Sequence, residues 1–126
     1  MPNTIDDLLS QARRHFVRVE PEQAAVELAN GALLVDIRPA EQRAGGGDIP
    51  GATVIDRNVL EWRLAPDSEW RIAAVTCPDT RVIVICNEGY ASSLAAATLK
   101  ELGLVNATDV IGGFQAWKAA GLPVEP

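Results

Sequence analysis

The sequence predicts an α/β fold built on a parallel sheet covered on both faces. Three observations carry this expectation. Short, almost wholly apolar runs alternate with helical patterns along the chain. Those runs lack the in-out alternation of a half-exposed strand, so each needs cover on both sides. No internal repeat, low-complexity segment or linker interrupts the order. With 126 residues, 48% of them apolar, the chain is long enough for one continuous core and short for two, so residues 1–126 are expected to form one domain.

Residues 4–14 open with Thr4 ahead of Asp7, a cap followed by an acid in the first turn. They place Ile5, Leu8, Leu9 and Ala12 at helical spacing, which predicts an N-terminal helix reaching about residue 15. A short extended piece at 16–19 precedes Pro21, a residue suited to a first helical turn. Ala24, Ala25 and Leu28 carry that second helix to the Asn30-Gly31 stop. Residues 32–36 (ALLVD) read as a strand buried on both faces, with Asp36 and Arg38 at its far end. Residues 45–51 are loop by composition and lead into a strand at 52–55, followed by Asp56, Arg57 and Asn58. Between 59 and 75, Pro66 divides two short helices around Trp62 and Trp70. Residues 81–85 (RVIVI) form the core strand, β-branched almost throughout, and end in Cys86. A glycine-containing loop and a small-residue helix at 92–102 follow. A strand at 109–111, a turn at Gly112-Gly113 and a helix at 114–120 stopped by Gly121 complete the chain.

Seventeen acidic residues against eleven basic ones give a formal charge of −6, which excludes the cationic surface of a nucleic-acid binder. Cys77 and Cys86 are too few for a disulfide framework, and acids stand in the first fifteen residues where a signal peptide needs an apolar stretch. No apolar run approaches the roughly 20 residues that span a bilayer. A soluble protein of a reducing cytoplasm is expected, with neither nucleic acid nor membrane as partner.

In a covered parallel sheet, ligands bind outside the carboxyl ends of the strands. That nominates Asp36 with Arg38, Arg57 with Asn58, residues 86–91 and Gly112-Gly113. Cys86 stands out, because a cysteine between a buried strand and a helix meets free loop amides and the positive end of a helix dipole, and both favour thiolate. Gly89 lets the loop bend, and Ser92 or Ser93 can cap the helix that follows. Position alone leaves open a packing role for Cys86. Cys77, ahead of Pro78-Asp79 in a turn, reads as structural or exposed. The glycines at 45–47 lack the Gly-Lys-Ser/Thr of a phosphate loop. His15 is the only histidine, so a zinc site or a Cys-His pair lacks its ingredients, and it reads as a surface or packing residue. Trp117 reads as core, while Trp62, close after Arg57-Asn58, is a candidate pocket residue.

Four segments then occur in order. They are Val35-Asp36-Ile37-Arg38-Pro39 with Glu41, Gly47-Asp48-Ile49-Pro50-Gly51-Ala52, Val84-Ile85-Cys86-Asn87-Glu88-Gly89-Tyr90-Ala91-Ser92, and Gly112-Gly113-Phe114-Gln115-Ala116-Trp117 with Gly121-Leu122-Pro123. Over about residues 17–125 the chain thereby resembles the rhodanese-like sulfurtransferase family. The resemblance implies a three-layer α/β/α domain with a five-stranded parallel sheet and a cysteine that cycles through a persulfide. It implies that Cys86 takes a sulfane sulfur from thiosulfate or a persulfidic donor. A thiol or cyanide, a protein thiol included, then removes that sulfur, and no cofactor or metal is required. By position, Asn87, Glu88, Gly89, Tyr90, Ala91 and Ser92 line the cradle of Cys86. Asp36 and Arg38 match an acidic and basic pair that supports the loop from below.

Two departures stand out against the family pattern. Asp48 replaces a usual histidine, a loop change away from the chemistry. Ala91 occupies the place, five positions past the cysteine, where thiosulfate-preferring loops commonly carry a basic residue, while Glu88 adds a negative charge that disfavours a dianion. Arg57 is expected on the active-site side as a substitute cation, with an ordinary solvated arginine as the alternative. Two functions therefore stand side by side: a sulfurtransferase, and a persulfide carrier or interaction module acting with a protein partner. A phosphatase is set aside, since binding a phosphate dianion calls for an arginine that this loop lacks.

Overall fold

The computed structural model describes residues 3–126, so the first two residues of the expected domain lie outside it. The capping signal at the N-terminus is realised in α1 (Ile5–Arg13). Thr4 Oγ1 accepts the Asp7 N–H at 3.0 Å, and the Asp7 carboxylate accepts the Thr4 N–H at 3.1 Å. Pro21 opens α2 (Pro21–Ala29), which stops at Asn30 and a left-handed Gly31. The apolar runs become β1 (Leu33–Asp36), β2 (Thr53–Val54), β3 (Val82–Ile85) and β4 (Ala107–Asp109). They pair in parallel in the order β2-β1-β3-β4. Between β1 and β2 runs α3 (Ala40–Gly46); a 3-10 turn (Arg57–Val59) and α4 (Leu60–Leu64) follow β2. α5 (Ala91–Glu101) joins β3 to β4, and α6 (Gly113–Ala119) comes after β4.

Side-chain alternation along the strands divides the core into two layers. Val35, Val82 and Val84 pack with Leu60 and Leu64 of α4 and with Ala95 and Leu99 of α5. Leu34, Ile83 and Ile85 face the other way, onto Ala24 of α2 and Phe114 and Trp117 of α6. Leu9 and Ala12 bury α1, which rests on α5 rather than on the sheet, so Ile5 and Leu8 of its expected apolar face stay exposed. β1 and β3 lie side by side at the centre, yet β1 continues to β2 on one side and β3 to β4 on the other. That divergence opens a crevice at their carboxyl ends.

Several expectations are corrected. Four strands form the sheet among the described residues, not five. Val19 makes only an isolated parallel bridge to Val110, because Pro21 starts α2 two residues later and ends the pairing. Gly45 and Gly46, expected in a loop, close α3, a helix with no buried side chain to betray it. Trp62 lies in α4 as expected, but Trp70 sits among turns, where the Arg63 guanidinium caps its carbonyl at 2.9 Å. β4 begins two residues before the apolar stretch that predicted it. Its Thr108 is buried and polar, and the hydroxyl is satisfied by the Val17 carbonyl at 2.8 Å. Neither Ser92 nor Ser93 caps α5; both are buried within its first turn, and Tyr90 is the cap residue.

Candidate active site

β3 delivers Cys86 to the central crevice with 7% of its surface exposed. The loop after it is held from below by the first turn of α6. Phe114 N–H donates to the Cys86 carbonyl at 2.8 Å, and Gln115 N–H to the Asn87 carbonyl at 3.0 Å. So close an approach requires glycine: a Cβ on Gly113 would stand 2.5 Å from the Cys86 carbonyl oxygen. A trans peptide points its C=O and N–H to opposite sides. Carbonyls tied to α6 therefore turn the next N–H groups away from it. Gly89 and Ser92 N–H donate to Cys86 Sγ at 3.2 and 3.4 Å. The N–H groups of Asn87, Glu88 and Tyr90 meet no acceptor among the described residues. The thiol hydrogen goes to Ser92 Oγ at 3.3 Å, and the Ser92 hydroxyl donates to Asp109 at 2.7 Å. With the amino end of α5 aimed at it, this sulfur sits where negative charge is favoured.

A cavity of about 370 Å³ opens over the sulfur, lined by Ile37, Arg38 and Pro39 just past β1, by Gln42 of α3, by Arg57, and by Cys86, Asn87, Glu88, Tyr90 and Ala91. Most of the nominated residues thus converge. Gly89 and Ser92 lie beneath the sulfur instead of on the cavity wall, and Asn58 borders a neighbouring cavity together with Arg57. Arg57 is not free: its Nη1 donates to both carboxylate oxygens of Glu61, at 2.9 and 2.8 Å. Tyr90 stands at the rim, 58% exposed.

Asp36 and Arg38 form a buried ion pair with the guanidinium forked onto the carboxylate, the shortest contact being 2.8 Å. Arg38 also donates to the Gly47 carbonyl at 2.8 Å and stacks 3.7 Å from the centre of the Phe114 ring. The pair therefore ties β1 to the turn after α3 and to the helix that grips the cysteine loop. Among the described residues, Arg38 Nη1 meets no acceptor.

Sequence reasoning missed Ile37, Pro39 and Gln42 on the wall, and Arg13, Arg18, Ser93 and Asp109 below the loop. No local pattern announces them; they meet Cys86 only through the fold. Trp62 borders a separate cavity of about 420 Å³ with Glu61 and Leu102. A larger one, about 560 Å³, runs beside β4 and contains neither cysteine. Both cysteines are free, with Cys77 exposed. Among the described residues no group of His, Cys, Asp and Glu is placed to hold a metal, and no helix is long and apolar enough to cross a membrane.

A family model for the rhodanese-like domain matches residues 20–120. The thiosulfate sulfurtransferase GlpE of Pseudomonas entomophila (strain L48) is 36% identical over 104 residues, which is 82% of this chain and 86% of that protein. Its counterpart from Actinobacillus succinogenes is 36% identical over 112 residues, 87% of this chain and 91% of that protein. Among solved structures, a Rhodopseudomonas palustris protein of unknown function, described as a possible tyrosine phosphatase, aligns with a TM-score of 0.86 and 30% identity over 99% of each chain. The polysulfide-sulfur transferase homodimer of Wolinella succinogenes aligns with a TM-score of 0.70 and 25% identity, over 92% of this chain and 82% of that one.

Proposed function

The chain belongs to the rhodanese-like domain family and is a sulfurtransferase, and we propose that Cys86 is its sulfur carrier. The observation that carries this reading is a sulfur that accepts two backbone N–H bonds at the floor of an open cavity. Covalent catalysis then proceeds in two displacements. The Cys86 thiolate attacks the sulfane sulfur of the donor, the donor's bond to that sulfur breaks, and the leaving group departs with the electron pair, as sulfite when the donor is thiosulfate. The terminal sulfur of the new persulfide is anionic, and the unpaired N–H groups of Asn87, Glu88 and Tyr90 are the donors able to meet it. A thiolate or cyanide attacks that terminal sulfur, and the Cys86 thiolate leaves. Asp36 and Arg38 hold the floor through Phe114. Residues 1–126 act as one domain, since α1 contacts the loop through Arg13.

Glu88 and Ala91 leave the loop without its own cation, and Arg57, the substitute on the opposite wall, is shared with Glu61. A persulfidic donor therefore suits this cavity better than thiosulfate. The same feature favours the second reading, a persulfide relay whose acceptor or donor is a protein thiol and whose turnover on small donors is slow. Phosphatase chemistry fits worse, because the loop offers a phosphate dianion Glu88 in place of an arginine.

Intact-mass measurement on a Cys77→Ser background, which removes the exposed second thiol, after incubation with glutathione persulfide or with thiosulfate tests the proposal. The protein that retains Cys86 is expected to gain one sulfur atom and Cys86→Ser none. A gain that survives Cys86→Ser sinks the reading, and uptake from the persulfide alone selects the persulfidic donor.

A further inference from the structure

Beneath the cysteine loop, on the side away from the cavity, two arginines from a segment that the family match does not span hold the loop and the hydroxyl and carboxylate groups behind the sulfur. Arg13 ends α1 and Arg18 precedes α2, both ahead of residue 20, where that match begins. Arg13 Nη2 and Arg18 Nη2 each donate to the Gly89 carbonyl at 2.9 Å. A carbonyl oxygen has two lone pairs. Both are engaged by guanidinium, which fixes the Gly89–Tyr90 peptide with its N–H turned away from the two arginines.

Arg18 also forks onto the wholly buried Asp109, at 2.8 and 3.1 Å. Arg13 Nε donates to Ser93 Oγ at 2.9 Å, which leaves the Ser93 hydrogen for Asp109 at 2.8 Å. The Ser92 hydroxyl has one hydrogen and two claimants, Asp109 at 2.7 Å and Cys86 Sγ at 3.3 Å. While Cys86 is a thiol, it donates to Ser92, and Ser92 donates to Asp109. A thiolate has no hydrogen to give and gains from receiving one. Asp109 can release Ser92 because Arg18 and Ser93 still hold it with three hydrogen bonds.

We propose that Arg13 and Arg18 are positioning residues for Cys86: they pin the Gly89 carbonyl below the loop and hold Asp109, so that the Ser92 hydroxyl turns its hydrogen onto the sulfur whenever the sulfur is anionic. This deepens the sulfur-carrier reading and rests on it for its purpose. The other charged or titratable groups around the sulfur are Arg38 and Arg57 across the cavity, Glu88 in the loop and Tyr90 at the rim.

The test is the rate of Cys86 alkylation by iodoacetamide against pH, read on the Cys86 peptide by mass spectrometry so that exposed Cys77 is not counted. Arg13→Gln removes one guanidinium while Leu9 and Ala12 still anchor α1. Its profile is expected to move to higher pH, with a rate about threefold lower on the rising limb, which corresponds to about half a pH unit. Arg13→Lys should recover part of that loss, and Arg18→Lys, which keeps the charge but loses the fork, should fall between wild type and Arg18→Gln. In turnover assays kcat falls while KM for the donor, set on the cavity side, holds. If Arg18→Gln does not fold, Arg13→Gln and Arg18→Lys decide. Unmoved profiles in those two folded variants overturn the proposal. Moved profiles in a protein that takes up no sulfur retain the positioning and remove the sulfur-carrier reading; sulfur transfer with unmoved profiles does the reverse.

Discussion

Gly113 and Gly89 decide how closely the cysteine loop can lie on the structure beneath it. Both have positive φ, 60° and 87°. A Cβ on Gly113 would meet the Cys86 carbonyl oxygen at 2.5 Å and the Gly89 nitrogen at 2.7 Å, and one on Gly89 would meet the Gly112 nitrogen at 2.8 Å. These neighbours are backbone and cannot swing aside, so alanine has to displace the loop that carries the sulfur's two N–H donors. Gly103 is the control, with φ 98° and open space around the missing Cβ. Each alanine should lose about 1–3 kcal/mol of stability for the left-handed conformation. Gly113→Ala should in addition slow Cys86 alkylation by about tenfold, roughly the effect of 1.4 kcal/mol, whereas Gly103→Ala should leave it unchanged. Urea denaturation and the alkylation rate, measured on the same samples, separate strain from misplacement. Equal alkylation in both variants would mean that loop position does not govern the sulfur.

α2 is fastened to the residue just before β3 by an ion pair, with Arg81 Nε donating to Glu27 Oε1 at 2.8 Å. The hydrogen bond from Arg81 holds the Glu27 carboxyl below its ordinary range, against a smaller opposing effect of burial. A lowered folded value means that the contribution is complete at neutral pH, above the unfolded value, and is lost as pH falls through the ordinary carboxylate range to the lowered one. Both side chains are partly exposed, so the contribution is expected to be about 0.5 kcal/mol. The stability gap between wild type and Glu27→Gln should therefore narrow as pH falls below the ordinary carboxylate range and close once the lowered value is passed. A gap that persists in acid would assign the effect to packing. The same elements show what a sequence can and cannot disclose. Leu34, Val35 and the stretch from Val82 to Ile85 are apolar because both faces of their strands are covered, and that requirement is legible locally. α3 has no apolar stripe to read, since none of its side chains is buried; Gly46 instead packs its backbone against Phe114. β4 hides for the opposite reason. Its Thr108 and Asp109 are polar and buried, and their partners, Val17 and Arg18, lie 91 positions away. The cysteine proposed as sulfur carrier stands out in the sequence because strand, loop and helix are contiguous around it, while the network below it is assembled from α1, the segment before α2, α5 and β4.

The charge of the protein bears on its donor as much as any single contact does. The formal charge is −6, and Glu88 is exposed on the cavity wall. The two arginines lining the cavity are each paired, Arg38 with Asp36 and Arg57 with Glu61. A small dianion approaching Cys86 thus meets a repulsive field before it finds the loop amides. Raising ionic strength from about 10 mM to about 150 mM shortens the Debye length from about 30 Å to about 8 Å and screens that repulsion. For thiosulfate, kcat/KM should accordingly rise by about two- to fivefold over this range. Alkylation of Cys86 by uncharged iodoacetamide should change little. Glu88→Gln should raise kcat/KM for thiosulfate at low salt and flatten its salt dependence. Arg57→Ala should raise KM for thiosulfate, because Glu61 then remains without its counter-charge. A kcat/KM that falls with added salt would show that attraction to Arg57 outweighs Glu88 and the net charge, and thiosulfate would then become the better-suited donor.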